Sequence, residues 1–206
     1  RSTLFPYTTL FRSILLPLRH VEWAANLNNC FITAYCYGSS MAQGAMYNTN
    51  DRLGIAQYLS RIGLLIDGNS GQSLAAAKES WLNDPAWQPL RRLLEQCLVQ
   101  KDWFEVFVVQ NLVLDGLVHP LLHTRFQAQA GEAGSAILGM LTDFIREWFA
   151  ENLKWVDASL KVAAAESADN RRLLAGWAAS WSARAAEALA PIAARFSDGT
   201  GEIGRA

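Results

Sequence analysis

The sequence predicts an all-α protein built as an antiparallel bundle of long helices. Apolar residues recur with the period of an α-helix through most of the chain, and no stretch alternates apolar and polar residues as a half-buried strand does. Turn-forming residues are confined to a few short stretches, of which DGNSG at 67–71 is the clearest. Long helices joined by short loops pack beside their neighbours in antiparallel order, so a bundle is the expected architecture.

The N-terminal part of the chain is predicted to form two helices with an irregular stretch between them. The first covers about 17–37, with Pro17 near the helix start, where proline is tolerated. Residues 38–50 lack a clear period and are interpreted as irregular or broken helix. Asp51 is predicted to cap a helix over 51–65, because an N-cap residue type is followed there by a wide apolar face.

Two shorter helices are expected next. Ser70 or Ser73 is predicted to cap the first of them, which ends near Leu82. The pair Asp84-Pro85 is predicted to begin the second, because proline is favoured at the first position of a helix.

A long helix over 102–129 is predicted to be the centre of the bundle. Asp102 is a suitable cap, and the segment that follows is apolar nearly all round, which in a globular protein indicates a buried helix. Pro120 is expected to kink or break it. Two more helices are predicted at 135–166 and 168–196, and the tail at 197–206 is expected to be disordered.

The first thirteen residues, RSTLFPYTTLFRS, are interpreted as a non-native segment at 1–13. A common sequencing-adapter oligonucleotide encodes this string in this reading frame, and an ordinary N-terminal extension is the less favoured alternative. The segment lacks the continuous apolar region and the small-residue cleavage site of a signal peptide. A single helical domain is therefore predicted at 14–196, and the native chain is expected to begin further upstream.

Charge and cysteine content argue against several classes of protein. Without Arg1 and Arg12, 16 of the 18 basic residues remain against 19 acidic ones, and no basic stripe indicates nucleic-acid binding. The three cysteines, Cys30, Cys36 and Cys97, form no CxxC pair. This pattern, without a secretory signal, predicts buried thiols and a cytoplasmic protein. No uninterrupted apolar run is long enough to span a bilayer.

Three stretches carry a resemblance to a known family: DRLGIAQYLSRIGLLIDGNSGQSLAAAKESW at 51–81, KDWFEVFVVQNLVLDGL at 101–117 and REWFAENLKWVDASLKVAAAES at 146–167. They resemble the β subunit of the oxygenase component of bacterial phenol hydroxylase. That family belongs to the multicomponent monooxygenases, which put one oxygen atom of O2 onto an aromatic ring. The resemblance covers nearly all of 14–196 and implies that this chain is a fragment of a ferritin-like helical bundle.

The resemblance implies a structural subunit that is inactive alone and belongs to an NADH-dependent aromatic monooxygenase complex. It implies a catalytic α subunit that holds the di-iron centre and a small γ subunit, assembled as a dimer of heterotrimers. It further implies a regulatory protein and a reductase with FAD and a 2Fe–2S centre. A scaffold for a catalytic subunit acting on toluene or an alkene stays an alternative, since substrate contacts are expected in α.

The metal-binding pattern of a di-iron bundle is missing from the sequence. Such bundles use two Glu-x-x-His motifs, whose members share a helix face because they are three residues apart. No glutamate here has a histidine three residues later. The resemblance places relics of the two motifs at Pro17 with His20 and at Glu151 with Lys154. Lys154 is expected to replace the charge of the metal by pairing with a nearby carboxylate.

A stand-alone helical protein with its own metal or small-molecule site is the alternative function. Asp115, His119 and His123 are spaced four residues apart on the long helix, and two histidines at that spacing can share a zinc ion. Pro120 distorts this spacing and no fourth ligand is evident, so histidines with a structural role are favoured.

Aromatic residues supply the candidate partner contacts. The chain contains eight tryptophans, and large rings are favoured both in cores and at protein interfaces. Trp103, Trp148 and Trp155 are predicted to contact a partner subunit, where such residues often dominate the binding energy.

Overall fold

The structure, a computed structural model, describes the backbone of residues 11–132 and 136–202 and the side chains of 11–128, 139–140 and 142–196. All regular elements in this part of the chain are helical, which confirms the predicted all-α class. They are a π-helical turn (Phe11–Leu15) followed by α1 (Leu18–Tyr35), α2 (Ser39–Ile66), α3 (Gln72–Asn83), α4 (Gln88–Cys97), α5 (103–132), α6 (Ala136–Glu166) and α7 (Ala168–Glu202).

The helices form a bundle in which α5 is the buried centre. α1 packs along the length of α2, and both α1 and α6 contact α5. α7 crosses α4, α5 and α6 on the other side. Most of the core is aliphatic, with Trp87, Phe126 and Phe196 as large buried anchors. A smaller apolar cluster around Phe107 and Val156 joins α5 to α6.

The cap at the start of α5 is confirmed. The Asp102 carboxylate accepts hydrogen bonds from the backbone N–H groups of Phe104 and Glu105, at 2.8 and 3.3 Å. Segment Trp103–Ala128 has a mean hydropathy of 1.3 over its best window, but 72% of that window is buried inside the bundle. Its apolar composition is therefore explained by its central position.

Two π-helical segments interrupt the α-helical pattern of α5, at Val108–Leu114 and at His119–Thr124. Pro120 lies in the second one, and the helix continues beyond it. Proline removes one backbone donor and crowds the preceding turn, so the wider π-helical turn accommodates it without a break. Such segments are common at functional sites because they change the direction of side chains.

Residues 39–50 are regular helix, so the prediction of an irregular stretch over 38–50 is wrong for all but Gly38. α2 begins at Ser39, and Asp51 lies inside it instead of capping it. Gly44 is one reason for the weak pattern. A Cβ atom at this position would lie 2.7 Å from the indole of Trp155, so only glycine allows α6 to come this close. The helix predicted from Pro85 starts three residues later, at Gln88, because Asp84 holds a turn by accepting from the Ala86 N–H at 3.0 Å.

Both ends of the predicted domain lie within longer helical structure. Phe11, inside the segment interpreted as non-native, is buried, and its ring centroid lies 6.2 Å from that of Phe126. The interpretation of 1–13 stays a prediction, and residues 1–10 lie outside the described part. α7 continues to Glu202, and the predicted domain bounds, with a disordered tail at 197–206, stay a prediction.

Candidate functional site

The inward face of α1 is unusually polar for a helix at the centre of a bundle. Glu22, Asn26, Asn28 and Asn29 are all buried there. Buried polar groups are costly unless they are hydrogen-bonded, so this face requires partners on the helices that it contacts. Those partners come mainly from α2 and α5.

Arg52 of α2 lies at the centre of these contacts and is about 1% exposed. One guanidinium nitrogen, Nη1, donates to Glu22 Oε2 at 3.0 Å and lies 3.4 Å from His119 Nε2. The other, Nη2, donates to Asp115 Oδ2. A single arginine therefore joins carboxylates from α1 and α5 with an imidazole from α5. Its planar fork of donors suits such a role, which the point charge of lysine does not.

Amide side chains fix the two carboxylates and the arginine in position. Asn48 accepts from Arg52 Nε at 3.1 Å and donates to Asn152 of α6 at 2.6 Å. Gln110 donates to Asp115 Oδ1 at 3.1 Å and accepts from Asn28 at 2.9 Å. Because each amide bonds in two directions, the network holds α1, α2, α5 and α6 in one arrangement.

Trp148 of α6 covers the arginine from the remaining side. Arg52 Cζ lies 4.4 Å from the Trp148 ring centroid, a cation–π contact that desolvation strengthens. The indole N–H donates to Asp51 Oδ2 at 2.9 Å, which fixes the orientation of the ring. Asp51, predicted as a helix cap, therefore serves instead to anchor α6.

The electrostatics of the cluster follow from its burial. The pKa of Glu22 is raised, mainly by burial. The Arg52 guanidinium opposes this shift, and the neighbouring Asp115 adds to it. Burial likewise raises the pKa of Asp115 against the opposing effect of Arg52. Burial lowers the pKa of Arg52, but the two carboxylates outweigh that effect and raise it, so the arginine stays charged. Two carboxylates thus share one buried cation.

His119 and His123 are stacked beside the cluster, with ring centroids 4.9 Å apart. His119 also stacks on Phe149 at 4.4 Å. Burial lowers the pKa of His123 to about 3, with a further contribution from the Arg52 charge. Among the described side chains, neither ring nitrogen of His123 has a hydrogen-bond partner, and the same is true of His119 Nδ1. Both rings are therefore neutral and incompletely satisfied.

The chemistry of this cluster is that of a structural ion network. In the described residues, no three His, Cys, Asp or Glu side chains are arranged to hold a metal ion. The alternative site at Asp115, His119 and His123 thus lacks support from the geometry, since Asp115 is engaged by Arg52. The cluster also offers no hydroxyl or thiol nucleophile, so it is not arranged for covalent catalysis.

The four positions interpreted as metal-motif relics do not come together in the interior. Pro17 is the residue before α1, and the half-buried His20 stacks on Trp81 at 5.6 Å. Glu151 and Lys154 form an ion pair at 2.7 Å, with side chains 74% and 72% exposed. A relic of a central metal site must face the bundle interior, and these two side chains face outward. The interpretation of these four positions as relics stays a prediction.

The three tryptophans predicted at a partner interface have contacts within the chain. Trp148 packs on Arg52 as described, and Trp155 meets the Phe107 ring edge-on at 5.2 Å between centroids. Trp103 contacts Tyr37 with centroids 6.3 Å apart. All three are half-buried, so their contact with a partner stays a prediction.

The outward face of α1 is apolar. Trp23 is 51% exposed and Leu27 39% exposed, and Cys30 follows them on the same face. The prediction that the cysteines are buried is therefore wrong for Cys30, although Cys97 is buried. α1 therefore buries polar side chains beside apolar ones such as Leu18 and Val21, while its outward face exposes apolar side chains. Exposed apolar side chains on one helix face are a candidate contact surface.

Sequence reasoning missed Arg52 and Glu22, although a signal for Arg52 was present. Arg52 precedes Ile55 by three residues and Leu59 by seven, so it lies on the same face as these buried residues. A charged residue at a core position of an amphipathic helix predicts a buried partner of opposite charge. The identity of that partner depends on packing between helices distant in sequence.

Comparisons with known proteins agree on one group. A sequence profile described as Methane/Phenol/Alkene Hydroxylase matches residues 7–167. The oxygenase component DmpL of phenol 2-monooxygenase from Pseudomonas sp. strain CF600 is 48% identical over 179 residues, covering 87% of this chain and 54% of that protein. The MhpL component of phenol 2-monooxygenase from Acinetobacter pittii strain PHEA-2 is 46% identical, covering 89% and 53%. The β subunit of the toluene-4-monooxygenase hydroxylase from Ectopseudomonas mendocina is 28% identical, covering 84% and 54%.

Solved structures give the same result. The crystal structure of xenon-pressurized phenol hydroxylase from Pseudomonas sp. OX1 matches with a TM-score of 0.88 and 42% identity, covering 94% of this chain and 60% of that chain. The structure of toluene 4-monooxygenase with toluene in its resting active site matches with a TM-score of 0.83 and 25% identity, covering 91% and 63%. The chain spans about half the length of the curated relatives that it matches.

Proposed function

Because this chain belongs to the methane, phenol and alkene hydroxylase family, we propose that it serves as a non-catalytic structural β subunit of a phenol 2-monooxygenase-type oxygenase. Its task in this proposal is to hold the catalytic subunit in shape while the oxygen chemistry takes place there. The chain alone is expected to be inactive.

Identity to the curated relatives favours phenol over other substrates. Two relatives named as oxygenase components of phenol 2-monooxygenase are 48% and 46% identical to this chain. The toluene-4-monooxygenase β subunit is 28% identical, and the propane 2-monooxygenase small subunit from Gordonia sp. strain TY-5 is 27% identical. These figures carry the choice of a phenol-type complex over a toluene or alkene one.

The bundle interior supports a structural role. In the part of the chain that the structure describes, the centre is occupied by the ion network of Arg52, Glu22 and Asp115, and the space is filled by Trp148 and the two stacked histidines. A packed and charge-balanced interior makes a rigid support.

The proposed complex contains the partners that the family resemblance implies. A catalytic α subunit holds the di-iron centre, and a small γ subunit completes a heterotrimer that dimerises. A regulatory protein and a reductase carrying FAD and a 2Fe–2S centre deliver electrons from NADH. The whole assembly is proposed to work in the cytoplasm.

We propose the outward stripe of α1 as part of the contact with the catalytic subunit. Trp23 and Leu27 expose apolar surface there, and aromatic anchors of this kind often dominate binding at protein interfaces. Catalytic ligands must be held within a fraction of an ångström, and a rigid neighbouring bundle is one way to hold the helices that present them. Trp103, Trp148 and Trp155 are secondary candidates, because each already packs within this chain.

Co-production of the tagged chain with the α and γ subunits of a phenol hydroxylase tests the proposal. We expect purification on the tag to recover equal amounts of α, with iron present only when α is present. Phenol hydroxylation should then require the reductase and NADH. A folded chain that does not retain α, or that carries iron without it, would contradict the proposal.

Matched variants test the proposed contact surface in the same assay. Trp23→Ala with Leu27→Ala should lower the recovery of α and the activity together, while helical circular dichroism is unchanged. The control is Val162→Ala with Leu173→Ala, which removes apolar side chains that are 66% and 50% exposed on α6 and α7. Equal loss of α in both double variants would show that the α1 stripe is not the specific contact.

A further inference from the structure

The ferritin-like fold implies a metal site at the centre of the bundle, and the residues found there do not fit one. Metal-binding members of this architecture surround the ion with carboxylates and histidines that project inward from facing helices. Here Glu22 projects from α1, and Asp115 and His119 project from α5, but the space between them is occupied by the guanidinium of Arg52 from α2. The donor set is partly present, and a cation is already inside it.

We propose that Arg52 is a covalently attached substitute for a metal ion, and that Glu22, Asp115 and His119 form a latent divalent-cation site which the guanidinium keeps closed. The inference concerns this chain alone and does not rest on the proposed function. It separates two readings of the cluster: an ordinary buried ion pair, and a metal site whose ion has been replaced by a side chain.

Three donor atoms already contact the Arg52 guanidinium. Nη1 of Arg52 lies 3.0 Å from Glu22 Oε2 and 3.4 Å from His119 Nε2, and Asp115 Oδ2 bonds the adjacent nitrogen. Carboxylate oxygens and imidazole nitrogens bind zinc-like ions at roughly 2.0–2.2 Å. With the guanidinium removed, Glu22 Oε2 and His119 Nε2 would need to move by about 1 Å toward the position of Nη1, a shift that small χ rotations achieve. This gap also explains why no preformed metal geometry exists in the described residues.

Arg52 carries one positive charge between two carboxyl groups. Glu22 and Asp115 together supply two negative charges when ionised, and Arg52 supplies one positive charge. His119 lies beside these charges, with its Nε2 atom 3.4 Å from Arg52 Nη1, and its ring stacks on that of His123 with centroids 4.9 Å apart. A divalent cation would balance the two carboxylates fully, and neutral imidazole is the form that binds metal.

The two histidines beside Arg52 have ring nitrogens without hydrogen-bond partners in the described part of the chain. His119 is 2% exposed and His123 1% exposed, and both have buried ring nitrogens without a hydrogen-bond partner among the described side chains. Buried polar atoms are normally paired, and exceptions call for a reason. A metal-binding histidine uses one ring nitrogen for the metal and the other for an orienting contact. In His119, Nε2 faces the Arg52 guanidinium and Nδ1 is left for that contact.

Arg52→Ala opens the site and is the central test. The untagged variant and the untagged 206-residue parent chain are titrated with Co2+ at neutral pH, because Co2+ bound by oxygen and nitrogen ligands has a visible absorption spectrum. We expect the variant to bind roughly one Co2+ per chain and to gain thermal stability as Co2+ is added. The parent chain should show neither the spectrum nor the shift in Tm.

Two double variants test the carboxylate ligands, and two single variants serve as controls. Arg52→Ala combined with Asp115→Asn, or with Glu22→Gln, should lose Co2+ binding by at least tenfold, because one charged ligand becomes a neutral amide. Arg52→Lys keeps a cation in the site and should bind no Co2+. Arg146→Ala removes an arginine that pairs with Asp143 at the surface, at 2.7 Å, and should behave as the parent chain does.

The outcomes separate the two readings even if Arg52→Ala does not fold alone. In that case it is refolded from denaturant with and without Co2+, and helical circular dichroism that recovers only with Co2+ supports the proposal. Failure of Co2+ to bind or rescue Arg52→Ala overturns it and leaves an ordinary ion pair. Co2+ binding that persists in the Asp115→Asn and Glu22→Gln combinations overturns it as well, because the ion would then lie elsewhere.

Discussion

Two ion pairs in this chain use the same chemistry in opposite surroundings. Arg52 joins Glu22 and Asp115 inside the bundle with all three side chains 4% exposed or less, whereas Lys154 joins Glu151 on the outside of α6 with both side chains more than 70% exposed. The spacing of Glu151 and Lys154 made them the expected relic of a metal motif, but the buried trio holds the centre. Burial, more than the residue pattern, decides which charges organise a fold.

The difference follows from the cost of removing charge from water. In an exposed ion pair, water and salt screen the attraction between the charges, so the pair contributes little to stability. A buried pair has lost its solvation, so each charge depends on its partner, and removing one partner leaves an uncompensated charge. The contrast between the two pairs therefore leads to expected effects that differ in size.

The largest effect is expected for Arg52→Met. The substitution keeps much of the volume but leaves Glu22 and Asp115 buried without a cation, which should lower the free energy of unfolding by about 3–5 kcal/mol. Urea denaturation followed by circular dichroism measures it. The triple variant Arg52→Met, Glu22→Gln, Asp115→Asn removes the charges together and should recover most of the loss. A loss below about 1 kcal/mol for Arg52→Met would contradict the importance given to burial.

A purely steric change near the same helices is expected to have a smaller effect. Gly44→Ala places a Cβ atom 2.7 Å from the Trp155 indole, so α2 and α6 must separate. Overpacking of this kind costs about 1–3 kcal/mol. Gly54→Ala in the same helix has nothing within 4 Å of the new Cβ, and it should be neutral or stabilising because alanine favours helix. Equal Tm values for the two variants would show that the close contact does not constrain the helices.

The buried histidines should make stability depend on pH. The pKa of His123 is about 3 in the folded chain and 6.5 in the reference state, so the unfolded chain binds the proton more tightly. The stability that His123 contributes is present above about pH 6.5 and is lost as the pH falls toward 3. At pH 5 the loss is about 2 kcal/mol relative to pH 7.

His123→Leu isolates this contribution. The raised pKa values of Glu22 and Asp115 act in the opposite direction, since a carboxyl group with a raised pKa stabilises the fold as the pH falls. The variant keeps both carboxylates, so the difference from the parent chain reports on His123. We expect the variant to lose less stability between pH 7 and pH 5 in parallel urea titrations. Parallel curves for the two chains would mean that His123 is protonated or solvated in the fold.

The smallest effect is expected for Lys154→Met with Glu151→Gln. Both side chains are exposed, and the two residues are about one helical turn apart on the surface of α6. Tm in thermal denaturation should therefore not change measurably. A destabilisation comparable to that of Arg52→Met would remove the distinction between the two pairs. Loss of α binding without loss of stability would instead place Glu151 and Lys154 at the partner interface.

Helical periodicity was sufficient for much of the fold. The helix that Pro17 precedes, the cap at Asp102 and the burial of α5 all follow from local pattern, because capping and amphipathicity depend on residues within a few turns. The prediction for region 38–50 fails because the glycine at position 44 makes room for the indole of Trp155, which is more than a hundred residues away in sequence. Local propensity does not contain that contact.

The candidate site was less accessible to sequence reasoning. The spacing of Asp115, His119 and His123 indicates a shared helix face and favours a structural role for the histidines, but it does not identify Arg52 as the partner of Asp115. The sequence places Arg52 on the apolar face of its helix, but its partner Glu22 is thirty residues away, and local pattern does not pair the two. Only the packing of α1 against α2 and α5 shows that both are buried.

The sequence by itself determined the helical class, the family and the absence of a Glu-x-x-His motif, because these depend on residue type and on spacing along one helix. The tertiary structure decided which charges lie inside, that a guanidinium fills the centre of the bundle, and that the apolar stripe of α1 faces outward. Those features arise from contacts between helices distant in the chain. Burial, which sets the energetic weight of every charge, exists only once the helices have packed.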